Sequence, residues 1–288
     1  MSGVSSDSNA SATDLPAGKL ERLRSILHEA GSVCIGYSGG VDSVFLATFA
    51  VETLGPACVL AVTGLSAAVP KIQREVARAC ARERGIPHVE IETDELQDAN
   101  YTANPVNRCF FCKNELWGQL TVLARSRGLA ALVDGANADD AHDHRPGAIA
   151  AARHGVRSPL LEAGLTKAEI RTASRAMGLP TWDQPASPCL SSRLPYGVAV
   201  TPERLRQIEE AETFLRRAGF REFRVRHHGD AARIEVAPAE VTRALMLAEQ
   251  IAAALRAMGF GRVLLDVDGY RRGSLNEGIR PVTIGTAP

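Results

Sequence analysis

The sequence predicts an α/β protein with a doubly wound parallel sheet, followed by a second, smaller α+β domain. Three observations carry this expectation. Through the first 180 residues, short apolar runs alternate with amphipathic segments, as strands and helices do when helices cover both faces of a parallel sheet. A glycine-rich stretch separates the first apolar run from the helix after it, the place where a doubly wound fold receives anions. Beyond a Pro/Ser-rich passage, residues alternate with period two on both sides of His228-Gly229-Asp230, the pattern of a hairpin.

Each element can be justified in turn. "KLERLRSILHEAG" has helical periodicity and stops at Gly31, since glycine readily takes the backbone turn that ends a helix. "VCIGYS" is a short apolar run suited to a buried strand, and "GGVDSVFLATFAVETLG" is a helix opened by glycines. "ACVLAVTG" is a second buried strand, "PKIQREVARACARERG" an amphipathic helix with proline at its start, and "HVEIET" a third strand. "FFCKNELWGQLTVLARSRG" reads as a helix, "AALVDGA" as the fourth strand, and "TKAEIRTASRAMG" as the helix that closes the region near Pro180. The connector "LPTWDQPASPCLSSRLPYG" follows. "TPERLRQIEEAETFLRRAGF" is a helix with Thr201 as N-cap, Pro202 at its first position and Glu203 in its first turn. The hairpin, a helix to about Met258 and a strand "RVLLDVDGY" complete the second unit. The organisation so drawn is a disordered tail at 1–17, a first domain at 18–180 and a second at 181–288.

Composition limits the function. In 288 residues, 45% are apolar and 23% charged, enough to bury a proper core. The formal net charge is zero, so nothing global announces a nucleic-acid or anionic-membrane partner. No apolar run approaches the length needed to span a bilayer. The Ser-rich start "MSGVSSDSNASATDLPAG" lacks the basic and apolar regions of a signal peptide. Six cysteines in a chain of this length do not form a disulfide framework, and the expected compartment is the reducing cytoplasm.

Ser38-Gly39-Gly40-Val41-Asp42-Ser43 is the strongest signal. Adjacent glycines allow close backbone approach to a phosphate, and the following helix N-terminus offers positive dipole. The serine hydroxyls can donate to phosphate oxygens, and Asp42 can hold hydrated Mg2+. The spacing is shorter than Walker A and no lysine follows the glycines. The stretch resembles the SGGxDS signature of the PP-loop ATP pyrophosphatases, which split ATP between its α and β phosphates. Two further segments belong to the same cleft: "VTGLSAA", expected at the adenine, and "VDGANADDAHDHRPG", at the carboxyl edge of the fourth strand. In the second, Asp134, Asn137, Asp139 and Asp140 are candidates for ribose or metal, and Arg145 for the phosphates; a solvated acidic loop is the alternative.

Cys34, Cys58 and Cys80 sit within apolar patterns and read as small buried hydrophobes. Cys109 and Cys112 stand at a helix start, where the dipole favours thiolate, and Cys189 lies in the connector before Arg193 and Tyr196. A zinc site wants a fourth ligand, and neither His142 nor His144 has knuckle spacing. A thioredoxin-type pair leaves Cys189 unexplained. Three thiolates on a 4Fe–4S cluster leave one iron open for an exogenous ligand such as sulfide. Three unrelated cysteines remain the alternative.

"RCFFCK", "DGANADDAHDHRPG", "SPCLSSRLPYG" and "VRHHGDAARIEV", behind "SGGVDS" and in chain order, resemble the LarE family from about Lys19 to Asn276. These are ATP-dependent sulfur transferases of nickel-pincer cofactor synthesis. The resemblance implies that a carboxylate of pyridinium-3,5-dicarboxylate mononucleotide is adenylated and that sulfur then displaces AMP, once on each carboxylate. Some members carry a single connector cysteine and sacrifice its sulfur. Three cysteines resemble the branch in which a 4Fe–4S cluster on Cys109, Cys112 and Cys189 carries sulfide, and direct sacrifice of Cys189 stays open.

Arg224 and Arg226 alternate on one strand and so face the same side. That suits bidentate phosphate recognition, although the residues alone favour an exposed Arg-decorated hairpin face; the resemblance assigns them to the substrate phosphate. Lys113 and Arg193, beside the cysteines, are candidates to stabilise charge on the adenylate or the attacking sulfur. Glu212 and Glu235 read as solvated charges, with a metal or subunit contact implied only by the resemblance. His227 and His228 are adjacent on a strand and point to opposite faces. The cofactors expected are ATP, Mg2+ and the cluster. The partners expected are a small-molecule mononucleotide and other copies of the chain in a homo-oligomer, with no nucleic acid and no membrane. A tRNA thiolase would need a basic surface that the zero net charge argues against. NAD and GMP synthetases share the loop but need no cysteine triad. A non-catalytic ATP-binding module would leave the cysteines and paired arginines incidental.

Overall fold

Strand β1 (Val33–Gly36) lies between β2 (Val59–Leu65) and β4 (Ala131–Val133), and β3 (His88–Glu92) pairs with β2, giving the parallel order β3-β2-β1-β4. Val33 pairs with both Val59 and Ala131, so β1, β2 and β4 start level and their carboxyl ends form one edge. The computed structural model describes residues 15–142 and 146–271 and the backbone of 281–283. Of the tail expected at 1–17, residues 1–14 lie outside the described residues, with His144, Arg145 and the side chain of His142, whereas Ala17 already opens the first helix.

Burial of β1 on both faces explains its unbroken apolar character. Val33 and Ile35 pack into a core with α1 (Ala17–Ala30), α2 (Val41–Leu54), α3 (Lys71–Glu83) and, further along, α7 (Pro159–Glu162) and α8 (Lys167–Ala176). Cys34, between them, points the other way into a cluster with α5 (Arg108–Ser126) and α6 (Pro146–Arg153), as the period of a strand requires. Between β3 and α5 lies the short α4 (Ala99–Thr102). Cys34 and Cys80 are buried as expected, but Cys58 is only half-buried. It closes the turn Pro56–Cys58 at the entrance to β2 rather than lying inside the strand.

The second domain pairs β5 (Phe223–His228) and β6 (Ala231–Val236) as an antiparallel hairpin, adds β7 (Arg262–Asp266) parallel to β6, and ends at β8 (Pro281–Thr283). Helix α9 (Pro202–Arg217) begins with Thr201 accepting from the Arg204 amide, as the N-cap reading required. With α10 (Val241–Met246) and α11 (Ala248–Ala257) it buries the apolar face made by Val225, Ile234 and Val263. The other face of the hairpin is not exposed: Arg224, Arg226, Arg233 and Glu235 are all at most 7% accessible. The connector lies across it, which is why a strand pair patterned for one wet face is buried on both. Among the described residues, no helix is long and apolar enough to cross a membrane.

One contact sets the position of α5. The Trp117 side chain, 1% accessible, lies on Gly36, where a β-carbon would fall 2.6 Å from the indole. Only glycine leaves room for the ring at that point of β1. Trp117→Ala is expected to destabilise the first domain by about 3–5 kcal/mol, the usual effect of emptying an aromatic core site, measured as a lowered urea midpoint. An unchanged midpoint would show that the ring does not anchor the helix.

Candidate active site

The loop between β1 and α2 has the geometry of an anion cradle. Gly39 sits at φ +76, and a β-carbon there would fall 2.7 Å from Ala77 Cβ and 2.9 Å from its Cα, so the loop lies directly against α3. Ser43 Oγ accepts from the Ser38 amide at 3.2 Å, donates to the Gly40 carbonyl at 3.1 Å and lies 3.1 Å from Ser38 Oγ. Gln73 donates to the Ser38 carbonyl at 2.9 Å. Gly40 caps α2 without a side chain, which leaves the first-turn amides to an incoming anion. Gly135, after β4, packs against this turn: its β-carbon would meet the Ser43 amide at 3.2 Å.

Asp42 fits a metal. Its Oδ1 is buried without a hydrogen-bond partner, an arrangement that a bound cation would satisfy. Its Oδ2 pairs with Lys167 Nζ at 2.6 Å. Lys167 was not singled out from the sequence, where "TKAEIR" reads only as a helix start, although the Thr166–Glu169 capping box that makes that start is present.

The acidic loop is held largely by its own carboxylates. Asp134 Oδ1 accepts from the Ala136 amide at 3.1 Å and from Ser158 Oγ at 2.7 Å. Asn137, buried, accepts from the Asp139 amide through Oδ1 at 3.0 Å and donates its own amide to Asp140 Oδ2 at 3.1 Å. Asp139 Oδ2 accepts from the Lys167 amide at 2.9 Å. This ties the loop to the start of α8.

The connector is brought to α5 by Asn104. The residue is fully buried at φ +54, a conformation asparagine tolerates better than most. Its amide nitrogen donates to the Pro195 carbonyl at 2.7 Å and the Val198 carbonyl at 2.9 Å, and its Oδ1 accepts from Arg108 at 2.6 Å. Tyr101 OH lies 2.7 Å from Ser191 Oγ, and the Leu190 amide donates to the Ala68 carbonyl at 2.7 Å. Residues flanking Cys189 are thereby attached both to the segment before Cys109 and to Ala68, at the end of "VTGLSAA", whose first four residues belong to β2. Neither Asn104 nor Tyr101 had a sequence signal, because both act through contacts about 90 residues away.

Cys112 and Cys189 pack against the same small cluster, around Tyr101, Leu190 and Leu194. Cys112 Sγ donates to the Cys109 carbonyl at 3.5 Å. The expectation that the helix dipole favours thiolate at this pair is overturned. Burial, then the nearby Cys189, raises Cys109, while burial, Cys189 and Cys109 push Cys112 up to about 12. Desolvation outweighs a dipole that acts on exposed first-turn groups. The three sulfurs therefore feel one another, although no three His, Cys, Asp or Glu among the described residues close on a single-ion site. Three thiols that act on one another, with the Glu95 carboxylate also acting on Cys112, make a sulfur-rich donor set of the kind that iron–sulfur chemistry uses. Lys113, which acts to lower both thiols, holds Nζ 5.7 Å from the Trp117 ring centre.

The arginines are buried, not displayed. Arg193 grips Glu212 through Nε and Nη2 at 2.8 and 3.0 Å, and its Nη1 donates to the carbonyls of Pro188 and Cys189 at 2.7 and 3.1 Å. Arg226 pairs with Glu235 at 2.8 Å and donates to the Ser192 carbonyl at 3.1 Å. Arg224 donates to the carbonyls of Phe223 and Ala186 and stacks on Tyr270. Burial and neighbouring Arg193 lower its pKa. Glu212 and Glu235, read from the sequence as solvated, are 4% and 0% accessible because these guanidiniums surround them. Among the described residues His227 meets Gln207 at 3.0 Å, and the two histidines do not converge.

The parallel sheet, a glycine-opened anion loop after β1 and an acidic loop at the same sheet edge define an ATP-using PP-loop enzyme. Residues 19–128 match the NAD synthase family. The chain is 33% identical to pyridinium-3,5-bisthiocarboxylic acid mononucleotide synthase of Lactiplantibacillus plantarum, over 94% of this chain and 98% of that protein. It is 44% identical to an uncharacterized protein of Synechocystis sp., over 90% of this chain and 97% of that one. A protein of Methanocaldococcus jannaschii, also uncharacterized, is 26% identical over 88% of this chain and 97% of its own. The chain belongs to the LarE family and is an ATP-dependent sulfurtransferase that works through adenylation.

Alkylation of the metal-free protein by iodoacetamide tests the thiol environment. Because Cys112 is raised to about 12, its rate should climb about tenfold per pH unit from pH 8 to beyond pH 10, the growth of a thiolate fraction below its pKa. A rate that levels off near pH 9 would mean an ordinary, solvated thiol.

Proposed function

We propose that the enzyme adenylates the carboxylates of pyridinium-3,5-dicarboxylate mononucleotide and converts them to thiocarboxylates in nickel-pincer cofactor biosynthesis. The observation that carries this reading is the attachment of the Cys189 segment to both the nucleotide side and the Cys109–Cys112 helix, through the bonds at Ala68, Tyr101 and Asn104. A sulfur-bearing site and an adenylating site so joined suit a reaction in which one carbon visits both.

In this reading Ser38, Gly39, Gly40 and Ser43 hold the ATP phosphates and Asp42 holds Mg2+. Asp134 and Asn137 shape the ribose side through the loop they brace. A substrate carboxylate oxygen attacks the α-phosphorus, pyrophosphate leaves, and the acyl-adenylate forms. Sulfur then attacks the acyl carbon and AMP leaves with the oxygen. Cys109, Cys112 and Cys189 would hold a 4Fe–4S cluster, whose iron without a protein ligand carries sulfide when the cluster is bound. Lys113 supplies positive charge beside the thiols. Arg193 positions Cys189 through its carbonyl rather than by touching the reacting atoms. Arg224 is the guanidinium best suited to the substrate phosphate, since its hydrogen bonds run to carbonyls and it forms no carboxylate ion pair among the described residues. Arg226, paired with Glu235, flanks it. The name of the L. plantarum relative supports the choice of substrate.

Cys189→Ala should retain pyrophosphate release with the dicarboxylate mononucleotide and lose thiocarboxylate formation, both read by mass spectrometry; unchanged transfer would remove Cys189 from the chemistry. Anaerobic wild-type protein reconstituted with iron and sulfide should be brown, whereas a protein lighter by the elements of hydrogen sulfide after turnover would show sacrifice of a cysteine instead. Arg224→Ala should raise the substrate KM by about ten- to a hundredfold, the worth of one charge-assisted contact, and leave ATP binding unchanged. An equal loss on both ligands would make Arg224 structural.

A further inference from the structure

Helix α3 backs the phosphate loop. A β-carbon on Gly39 would fall 2.7 Å from Ala77 Cβ, and Gln73 donates to the Ser38 carbonyl at 2.9 Å. The local sequence does little to cap this helix. Pro70 stands at its N-cap without a side-chain acceptor, and its first turn carries no acid, whereas α8 and α9 begin on Thr166 and Thr201. The acceptor comes instead from 138 residues away: the Lys71 amide, the first of α3, donates to Glu209 Oε1 at 2.6 Å. A carboxylate suits this end of a helix, where unpaired amides and the dipole both favour an anion. The Lys71 ammonium adds little, being exposed and 3.8 Å from Glu209 Oε2.

Glu209 belongs to α9, three residues before Glu212, so the two carboxylates leave neighbouring points on one side of the helix. Glu212 grips Arg193, which holds the Pro188 and Cys189 carbonyls. The Leu190 amide also reaches Ala68, just ahead of α3. Helix α9 is therefore attached through Glu212 to the Cys189 segment and through Glu209 to the helix behind the phosphate loop. A reaction that adenylates at one place and adds sulfur at the other depends on their alignment, because water competes for the activated acyl group in the interval.

We propose that Glu209 is a positioning residue for the sulfur step: by capping α3 it holds the phosphate loop in register with the Cys189 segment, so that the acyl-adenylate meets sulfur before water. This rests on the reading of loop 38–43 as the adenylation site and of the Cys189 segment as the sulfur site. Sulfide attacking the acyl carbon breaks its bond to the AMP oxygen and leaves a thiocarboxylate. Water attacking the same carbon breaks the same bond, gives its protons to solvent and returns the carboxylate. Both routes release AMP, and only the first makes product.

The ratio of thiocarboxylate formed to AMP released therefore reports alignment. It is read by mass spectrometry in single turnover, with ATP below the enzyme concentration and the dicarboxylate mononucleotide in excess. A variant that merely loses folded protein lowers both products together and leaves the ratio unchanged. Glu209→Ala should lower the ratio by about three- to tenfold, the worth of one charge-assisted bond, while AMP release persists. Lys71→Pro should do the same from the other side of the bond. Proline is favoured at the first position of a helix, and Pro70, at φ -55 and ψ 137, already has the extended backbone that a following proline demands. Lys71→Ala keeps the amide and should match wild type, and the double variant Glu209→Ala with Lys71→Pro should be no worse than either single one. A wild-type ratio in Glu209→Ala or Lys71→Pro would overturn the proposal, as would Lys71→Ala falling as far as Lys71→Pro. If Glu209→Ala does not fold, Lys71→Pro against Lys71→Ala decides by the same ratio. A wild-type protein that releases no AMP with this substrate would instead overturn the functional reading, and this inference with it.

Discussion

The Arg193–Glu212 pair is the constraint on which the placing of the Cys189 segment against α9 and the hairpin depends. Both side chains are almost completely buried, and the guanidinium meets the carboxylate with two parallel bonds. A pair in this setting is not a source of great net stability, because desolvating both ions offsets much of their attraction. Its value is directional. Glu212 also accepts from the Val225 amide at 3.2 Å, so α9 and β5 share one carboxylate. The remaining nitrogen of Arg193 holds the carbonyls on either side of the Pro188–Cys189 bond. Losing either partner would strand a charge where water cannot reach it and release the backbone that carries Cys189.

From that pair outward, the polar face of the hairpin becomes intelligible. Arg193, Arg224, Arg226 and Arg233 surround Glu212 and Glu235 within the buried layer beneath the connector. Among the described residues, Arg193, Arg226 and Arg233 pair with these carboxylates, whereas the hydrogen bonds of Arg224 run to the Phe223 and Ala186 carbonyls. Planar guanidiniums tolerate such burial better than ammonium groups because their charge is delocalised and weakly hydrated. The cover of this layer is the cysteine-bearing segment itself.

The thiols and the nucleotide loop obey the same logic of desolvation with opposite results. Burial raises Cys109 and Cys112 and so disfavours free thiolates there. Iron would reverse that balance by stabilising every thiolate at once. At the loop, Asp42 keeps one buried carboxylate oxygen without a hydrogen-bond partner, and the positive side chain that meets the other comes from α8 rather than from the loop's own neighbourhood.

Much of this was legible in the sequence, and the boundary has a physical cause. Strands and helices write their periodicity into neighbouring residues, so the order of elements, the hairpin at Gly229 and the Thr201 cap could be read directly. The loop 38–43 was legible because its chemistry is local: two glycines, two hydroxyls and a carboxylate within six positions. The contrast between Cys109, Cys112 and Cys189 and the other cysteines came from their immediate neighbours. Burial of Glu212 and Glu235, the rise of the thiol pKa values, the Asn104 clamp and the Lys167–Asp42 contact were decided only by tertiary structure. Each depends on what a distant segment brings to the residue, and the folding of the connector over the hairpin sets that environment. Pattern along the chain therefore determined which chemical groups the protein carries, whereas packing across it determined which of them are desolvated, paired or left with charge to spare.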